Sequence, residues 1–155
     1  MRVDNGFAHH IALLIASFAW CNPTLAAGDV PCAALPSALQ LARDKLEIAK
    51  TQLGAARENF GPGRVDALRD TLAAISETEL IETHCPNLRL QPAPGTDYVK
   101  MRVGKHPHMS YAAAALRDAR KALRDTGADV HGAAALKSVE RAIEEVDKAF
   151  LYRGP

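Results

Sequence analysis

The chain has few aromatic residues and no excess of charge of one sign. Aromatic residues make up 5% of the sequence, and the formal net charge is +1. The balanced charge gives no broad electrostatic footprint for nucleic acid, and the shortage of aromatic side chains excludes a platform on which bases stack. A charged fraction of 24% is typical of a folded domain rather than a disordered tail.

The sequence also lacks the motifs by which common enzymes are recognised. It has no glycine-rich phosphate loop, no nucleophile elbow and no Cys-x-x-Cys-His haem attachment site. Acidic residues are frequent in two segments, but none forms the Glu-x-x-His pair of a di-iron site, and Arg141 and Lys148 interleave with the second group. We therefore expect solvated helix faces and a non-enzymatic protein without a cofactor.

Residues 1–27 have the layout of a secretory signal peptide. Met1-Arg2 opens the chain, an uncharged apolar run of ten residues spans 11–20, and Pro23 precedes small residues that end at Ala27. The alternative, a retained membrane anchor, needs about 20 apolar residues. The pattern predicts export, with cleavage after Ala26 or Ala27, and hence a periplasmic or extracellular location.

Cleavage of this leader changes the cysteine count. Three cysteines become two, Cys32 and Cys85, which is an even number in a compartment where thiols oxidise. The first precedes one helical segment and the second follows the next, so an antiparallel hairpin brings them together. We predict a disulfide between them, the alternative being two unpaired buried thiols.

Past the leader, apolar residues recur every three or four positions, which is typical of helices with one buried face. The first two segments carry Leu39, Ala42, Leu46, Ala49, Leu53, Ala56 and Phe60, and then Val65, Leu68, Leu72 and Ile75. The last two carry Met109, Ala112, Leu116, Ala119 and Leu123, and then Leu136, Val139, Ile143, Val146 and Phe150. Gly61-Pro62-Gly63 is predicted to be the turn of the first hairpin.

The pattern predicts an all-α protein of two antiparallel hairpins. The first hairpin covers 28–86, a proline-rich connecting loop covers 87–107, and the second hairpin covers 108–155. Each hairpin buries little alone, so we expect a four-helix bundle, the alternative being an elongated pair of hairpins joined by a flexible linker. Leu41, Ile48 and Ala55 form a second stripe on the first helix that favours self-association.

Histidines supply the one candidate for a metal site. His106, His108 and Met109 lie within four residues, and in an up-and-down bundle His84 is expected at the same end. Imidazole suits copper, zinc or nickel, and a thioether favours Cu(I). The alternative is that His106 and His108 lie in an exposed segment at the start of the third helix and bind no metal, while Met109 belongs to the core. His131 is expected at the opposite end from His108, in a turn.

Basic residues concentrate in the connecting loop, at Arg89, Lys100, Arg102 and Lys105. They are compatible with a weak contact to an anionic surface. The main functional prediction is an exported binding or structural module of the cell envelope, which contacts a protein partner or a second copy of itself. The alternative is a small periplasmic protein that binds copper or zinc.

The second hairpin resembles a class of small exported bacterial helical-hairpin proteins of unassigned function. The resemblance covers about 107–152 and lies in Pro107-His108-Met109, Leu116, Ala119, Leu123, His131, Leu136, Ala142-Ile143, Val146 and Tyr152. In that class the turn usually reads Gly-Gly-His-Arg, whereas here it reads Asp129-Val130-His131-Gly132. The resemblance implies an exported helical hairpin and no particular activity.

Overall fold

The structure, a computed structural model, describes residues 36–57, 59–85, 88, 90–91, 106–126 and 130–152. In these ranges the chain forms helices α1 (Pro36–Ala55), α2 (Gly61–His84), α3 (Pro107–Asp125) and α4 (Val130–Leu151), and no strand. The prediction of an all-α protein is confirmed. The predicted signal peptide, Cys32 and the basic residues of the connecting loop lie outside the described residues.

The helices form one bundle in which the two predicted hairpins pack extensively on each other. The largest interfaces join α2 to α4 and α1 to α3, while the interfaces within each hairpin are smaller. Around the bundle the order is α1, α2, α4, α3, so α1 and α4 occupy opposite corners, as do α2 and α3. The elongated alternative is therefore wrong, because the interfaces between the two hairpins are larger than those within them.

Neighbouring helices in the bundle run antiparallel, as two contacts in each of three interfaces show. Helices α1 and α3 are joined by Lys45–Asp118 and Gln52–His108. Helices α2 and α4 are joined by Asp70–Arg141 and Glu77–His131. Helices α3 and α4 are joined by Arg117–Asp147 and Arg124–Glu140. In each interface the residue number rises on one helix as it falls on the other. Because α2 and α3 are both antiparallel to α1, they run parallel to each other from opposite corners.

This topology explains the long connection between α2 and α3. The C-termini of α2 and α3 lie at the same end of the bundle. The connection from the end of α2 to the start of α3 must therefore span the whole length of the bundle. The 24 residues of α2 span about 36 Å. An extended chain covers up to ~3.3 Å per residue, so the segment between His84 and Pro107 is long enough. The up-and-down arrangement that we expected from the sequence is wrong at this step.

Three of the four predicted seams are buried. All seven predicted seam positions of the first segment, from Leu39 to Phe60, are at most 5% exposed. The seam of α3 is buried throughout, and that of α4 is buried at Val139, Ile143 and Val146. Phe150 is the exception, because it is 40% exposed; its ring makes an edge contact with Phe60, with 6.5 Å between the ring centres.

The seam predicted for α2 is only partly buried. Ile75 is buried and Leu68 packs against the core, as predicted. Val65 and Leu72 are 56% and 47% exposed, whereas the buried side of the helix carries Ala67, Thr71, Ala74, Ile75, Thr78 and Ile81. The Oγ1 atoms of Thr71 and Thr78 donate to backbone carbonyls of their own helix at 2.7 and 2.6 Å. Their burial leaves no unsatisfied hydroxyl group, so a face of small and polar residues packs as well as an apolar one.

The connection between α1 and α2 also differs from the prediction. Helix α1 ends at Ala55, and Gly61-Pro62-Gly63 opens α2 instead of forming the turn. Gly61 has a positive φ of 62°, and proline is tolerated in the first turn because its missing N–H has no intrahelical partner there. The Arg64 guanidinium donates to the Leu53 carbonyl oxygen at 3.0 Å and so caps the end of α1.

A smaller apolar cluster covers the end of the bundle where α1 begins and α2 ends. It consists of Leu39, Ile81, Cys85 and Leu88, with Leu90 packed against it. Gln40 anchors the start of the connecting loop here, since its side chain donates to the Gln91 carbonyl at 3.0 Å and accepts from the Gln91 N–H at 2.7 Å. Cys85 is therefore held at a fixed place beside the start of α1.

Candidate functional site

The residues predicted to form a metal site do not come together. Met109 is fully buried in the core, His108 contacts the Gln52 amide oxygen through Nδ1 at 2.8 Å, and the His106 ring meets the edge of Phe60 at 5.1 Å. His84 lies at the other end of the bundle, roughly the length of α2 away. The expectation that His84 joins this cluster is wrong, because α2 and α3 run parallel.

The surface beside His108 is a groove of about 460 Å³, lined by Gly54, Ala55, Arg57 and His108. One ring nitrogen of His108 is already engaged by Gln52, and among the described residues that line the groove Arg57 is a further cation. In the described part of the chain, no three His, Cys, Asp or Glu side chains are placed to hold a metal ion. The groove therefore brings together no recognisable catalytic or metal-binding set.

The outer face of α2 carries several exposed apolar side chains. We use this name for Val65, Leu68, Leu72 and Leu80. Val65, Leu72 and Leu80 are 56%, 47% and 39% exposed, and Leu68 is half-buried against the core. Spacings of three, four, seven and eight residues keep these side chains on neighbouring turns of one side of the helix. An exposed apolar patch of this kind is typical of a protein interaction site.

The C-terminal end of α4 extends this surface. A Cβ at Gly61 would be 2.8 Å from the Tyr152 ring, so the ring lies directly on the start of α2. Val65 follows Gly61 by one helical turn and therefore continues the apolar surface from Tyr152 along α2. Leu151 and Tyr152 are 79% and 40% exposed. The combined surface runs from the end of α4 to the last turn of α2.

The second stripe predicted on α1 does not form a comparable surface. Leu41 is 47% exposed, but Ile48 is 5% exposed and belongs to the core, and Ala55 is half-buried. Leu41 instead lines a groove of about 370 Å³ between α1 and α3 together with charged side chains such as Lys45 and Asp118. Since Ile48 points inward, self-association through this stripe is not available.

The acidic segments form ion-paired surfaces, as the sequence indicated. Arg43 binds Glu82 at 2.7 Å, and Lys148 binds Glu145 at 2.5 Å. The hydrogen bond and charge of Glu145 raise the pKa of the exposed Lys148 ammonium group. Arg117 and Arg124 pair with two further carboxylates of α4. These carboxylates are solvated partners of basic side chains rather than metal ligands.

One acidic side chain is buried, and its contacts indicate a structural role. Asp70 is 7% exposed, and one of its carboxylate oxygens lies 3.3 Å from Arg141 Nε. The Nη2 atom of the same guanidinium group donates to the Ser138 hydroxyl at 3.1 Å. Asp70 belongs to α2, and the other two belong to α4. The three side chains therefore stabilise the interface between α2 and α4, which is the largest in the bundle.

A histidine pair that the sequence reading missed lies where α2 ends and α4 begins. The ring centres of His84 and His131 are 5.1 Å apart, and His131 Nδ1 is 2.8 Å from a Glu77 carboxylate oxygen. The location of His131 at the opposite end from His108 agrees with the expectation. Its contact with His84 was not predictable, because it depends on α2 packing against α4.

Among the described helices, none is long and apolar enough to cross a bilayer. Cys85 is buried, but its predicted partner Cys32 lies outside the described residues, so the disulfide stays a prediction. Comparison of the chain with protein-family models, curated proteins and solved structures gives no match.

Proposed function

We propose that this chain is an exported, non-enzymatic helical module of the cell envelope that binds a second copy of itself through the outer face of α2. The observation that supports this proposal is that α2 exposes Val65, Leu72 and Leu80, whereas the apolar seams of α1 and α3 are buried and that of α4 is exposed at Phe150. An apolar stripe that spans several turns of one helix fits the stripe of a second helix.

The charges beside the stripe favour a second copy as the partner. Arg69 and Glu79 flank opposite halves of the stripe, and their side chains are 70% and 54% exposed. In an antiparallel pairing centred at position 74, about half a turn from Leu72, Arg69 of each copy approaches Glu79 of the other. A two-fold axis repeats this contact, so one surface is complementary to itself.

Export is supported by the leader-like residues 1–27 and by the even number of cysteines that remain after cleavage. The non-enzymatic assignment is supported by the lack of catalytic motifs in the sequence. Asp70, Thr71 and Thr78, which are buried polar residues, are engaged within the protein rather than directed into a cavity. A binding or structural role uses the surface of the bundle instead.

The test is the oligomeric state of the mature chain, measured by sedimentation and by light scattering over a range of concentrations. Leu72→Glu places a charge in the centre of the outer face of α2. Leu41→Glu is the matched control, because both leucines are 47% exposed and lie on helices of the same bundle. We expect a dimer for the wild type and for Leu41→Glu, and a monomer for Leu72→Glu.

Two results would overturn the proposal. One is a wild-type chain that stays monomeric at the highest concentration reached. The other is a dimer that Leu41→Glu dissociates as effectively as Leu72→Glu does, since this would place the interface elsewhere. Circular dichroism of both variants shows whether the bundle remains folded, so that loss of the dimer is not confused with unfolding.

A further inference from the structure

The cluster of His84, His131 and Glu77 joins the last turns of α2 to the first turn of α4. The two imidazole rings are 5.1 Å apart between centres and are inclined by 34°. The His84 ring is exposed, and the side chains of His131 and Glu77 are 24% and 30% exposed. The rings are therefore fixed by neighbours and remain accessible to small solutes.

The hydrogen bonds of the cluster determine which nitrogen of each neutral ring carries the proton. His84 Nδ1 is 2.8 Å from the Leu80 carbonyl oxygen, which can only accept a hydrogen bond. His131 Nδ1 is 2.8 Å from a carboxylate oxygen of Glu77, which also accepts a hydrogen bond. Both rings are thus held as the Nδ1–H tautomer, and the lone pair of each lies on Nε2.

The Nε2 atoms have no hydrogen-bond partner in the ranges that the structure describes. A histidine whose Nδ1–H donates to a carboxylate or a backbone carbonyl has the usual arrangement of a metal ligand, because the donated bond fixes the ring and makes Nε2 more basic. Here one ring has a carboxylate partner and the other has a carbonyl partner. The cluster therefore has a pair of oriented ligands and the neighbours that orient them.

We propose that His84 and His131 bind one divalent first-row transition-metal ion through their Nε2 atoms, with Cu²⁺ bound most tightly. Two imidazoles bonded to one ion at about 2.0–2.1 Å, with a near-tetrahedral angle between them, have ring centres roughly 5 Å apart. The observed distance of 5.1 Å between the ring centres matches this spacing. Imidazole ligands suit copper, zinc and nickel, and copper forms the strongest complexes in this series.

Glu77 is a positioning residue in this site. Its carboxylate accepts from His131 Nδ1 and contributes negative charge beside a bound cation. The described residues supply the two imidazole ligands, and solvent completes the coordination. The ion would join α2 to α4 and so bind the folded chain in preference to the unfolded one, which raises the melting temperature. This inference does not depend on the outer face of α2.

The experiment uses the mature chain without an affinity tag. CuCl₂ is titrated by calorimetry, and NMR spectra follow line broadening, which the paramagnetic ion produces only in nearby residues. The variants are His84→Ala, His131→Ala and Glu77→Gln. The control is the double variant His106→Ala/His108→Ala, which removes two histidines from the opposite end of the bundle. The melting temperature of each metal-free variant verifies its fold.

We expect one equivalent of Cu²⁺ with micromolar affinity and broadening around Thr83 and Gly132. Loss of an orienting neighbour weakens metal binding about 10–100-fold, so we expect this effect for Glu77→Gln and at least as large a loss for each single histidine variant. The control should bind as the wild type does. Weaker than millimolar binding, broadening around Gln52 and His108 instead, or loss of binding only in the control would overturn the proposal.

Discussion

Gly63 of α2 lies directly against the backbone of α4 at Glu145. A Cβ at Gly63 would be 2.7 Å from the Glu145 carbonyl oxygen and 3.1 Å from the Ala149 Cβ. The two helices therefore approach each other as closely as they do because this position has no side chain. The close approach sets the largest helix interface of the bundle, on which both Asp70–Arg141 and His131–Glu77 depend.

Gly63→Ala is expected to destabilise the bundle. The added methyl group meets a backbone oxygen that cannot rotate away, so α2 and α4 must separate, and we expect a loss of about 1–3 kcal/mol in the free energy of unfolding. Gly54→Ala is the control, because no described atom beyond its chain neighbours and the adjacent backbone of its own helix lies within 4 Å of its Cβ position. Alanine there should be neutral or stabilise the helix by up to ~1 kcal/mol. Urea denaturation of both variants tests this difference, and equal effects would contradict it.

Leu46→Ala and Leu72→Ala distinguish the buried seam from the exposed one. Leu46 is fully buried in α1, and its truncation should cost about 2–5 kcal/mol through lost burial and a cavity. Leu72 is 47% exposed, and its truncation in the monomer should cost less than ~1 kcal/mol. Chemical denaturation at low protein concentration measures both. A larger loss for Leu72→Ala would mean that the faces of α2 are assigned in reverse.

The mature chain is expected to contain no free thiol. A bond from Cys32 to Cys85 would close a loop of about 50 residues, for which the chain-entropy model gives on the order of 4 kcal/mol of stabilisation. Alkylation under denaturing, non-reducing conditions should label neither cysteine, and reduction should lower the melting temperature. Two labelled cysteines in protein recovered from the periplasm would refute the bond.

Expression of the full sequence in a bacterial host tests the leader. We expect processed protein in the periplasmic fraction, with an intact mass that corresponds to cleavage after Ala26 or Ala27. The chain expressed without residues 1–27 is the control and should remain in the cytoplasm. An unprocessed full-length chain in the cytoplasm would contradict the prediction of export.

The periodic pattern predicts α1, α3 and α4 well because their buried positions are apolar. Met109, Leu116 and Val139 are fully buried, as their spacing indicates. For α2 it is right at Ile75 but wrong at Val65 and Leu72. Hydropathy ranks Val65 and Leu72 above Thr71 and Thr78, although the threonine hydroxyl groups satisfy their hydrogen bonds within their own helix. A helix that packs closely against two neighbours needs small side chains at the interface. The hydropathy pattern of the sequence does not report side-chain size.

By itself, the sequence determined that the chain is helical, which faces of three helices are buried, and that a long proline-rich segment separates two pairs of helices. Only the tertiary structure decided that α2 packs on α4 rather than mainly on α1, because that choice depends on the close fit at Gly63 and on the buried Asp70–Arg141 contact. The same packing separates His84 from His106 and brings it beside His131. His84 and His131 are 47 positions apart and meet because their side chains face one another from two helices. The spacing of residues along the sequence does not predict such a contact.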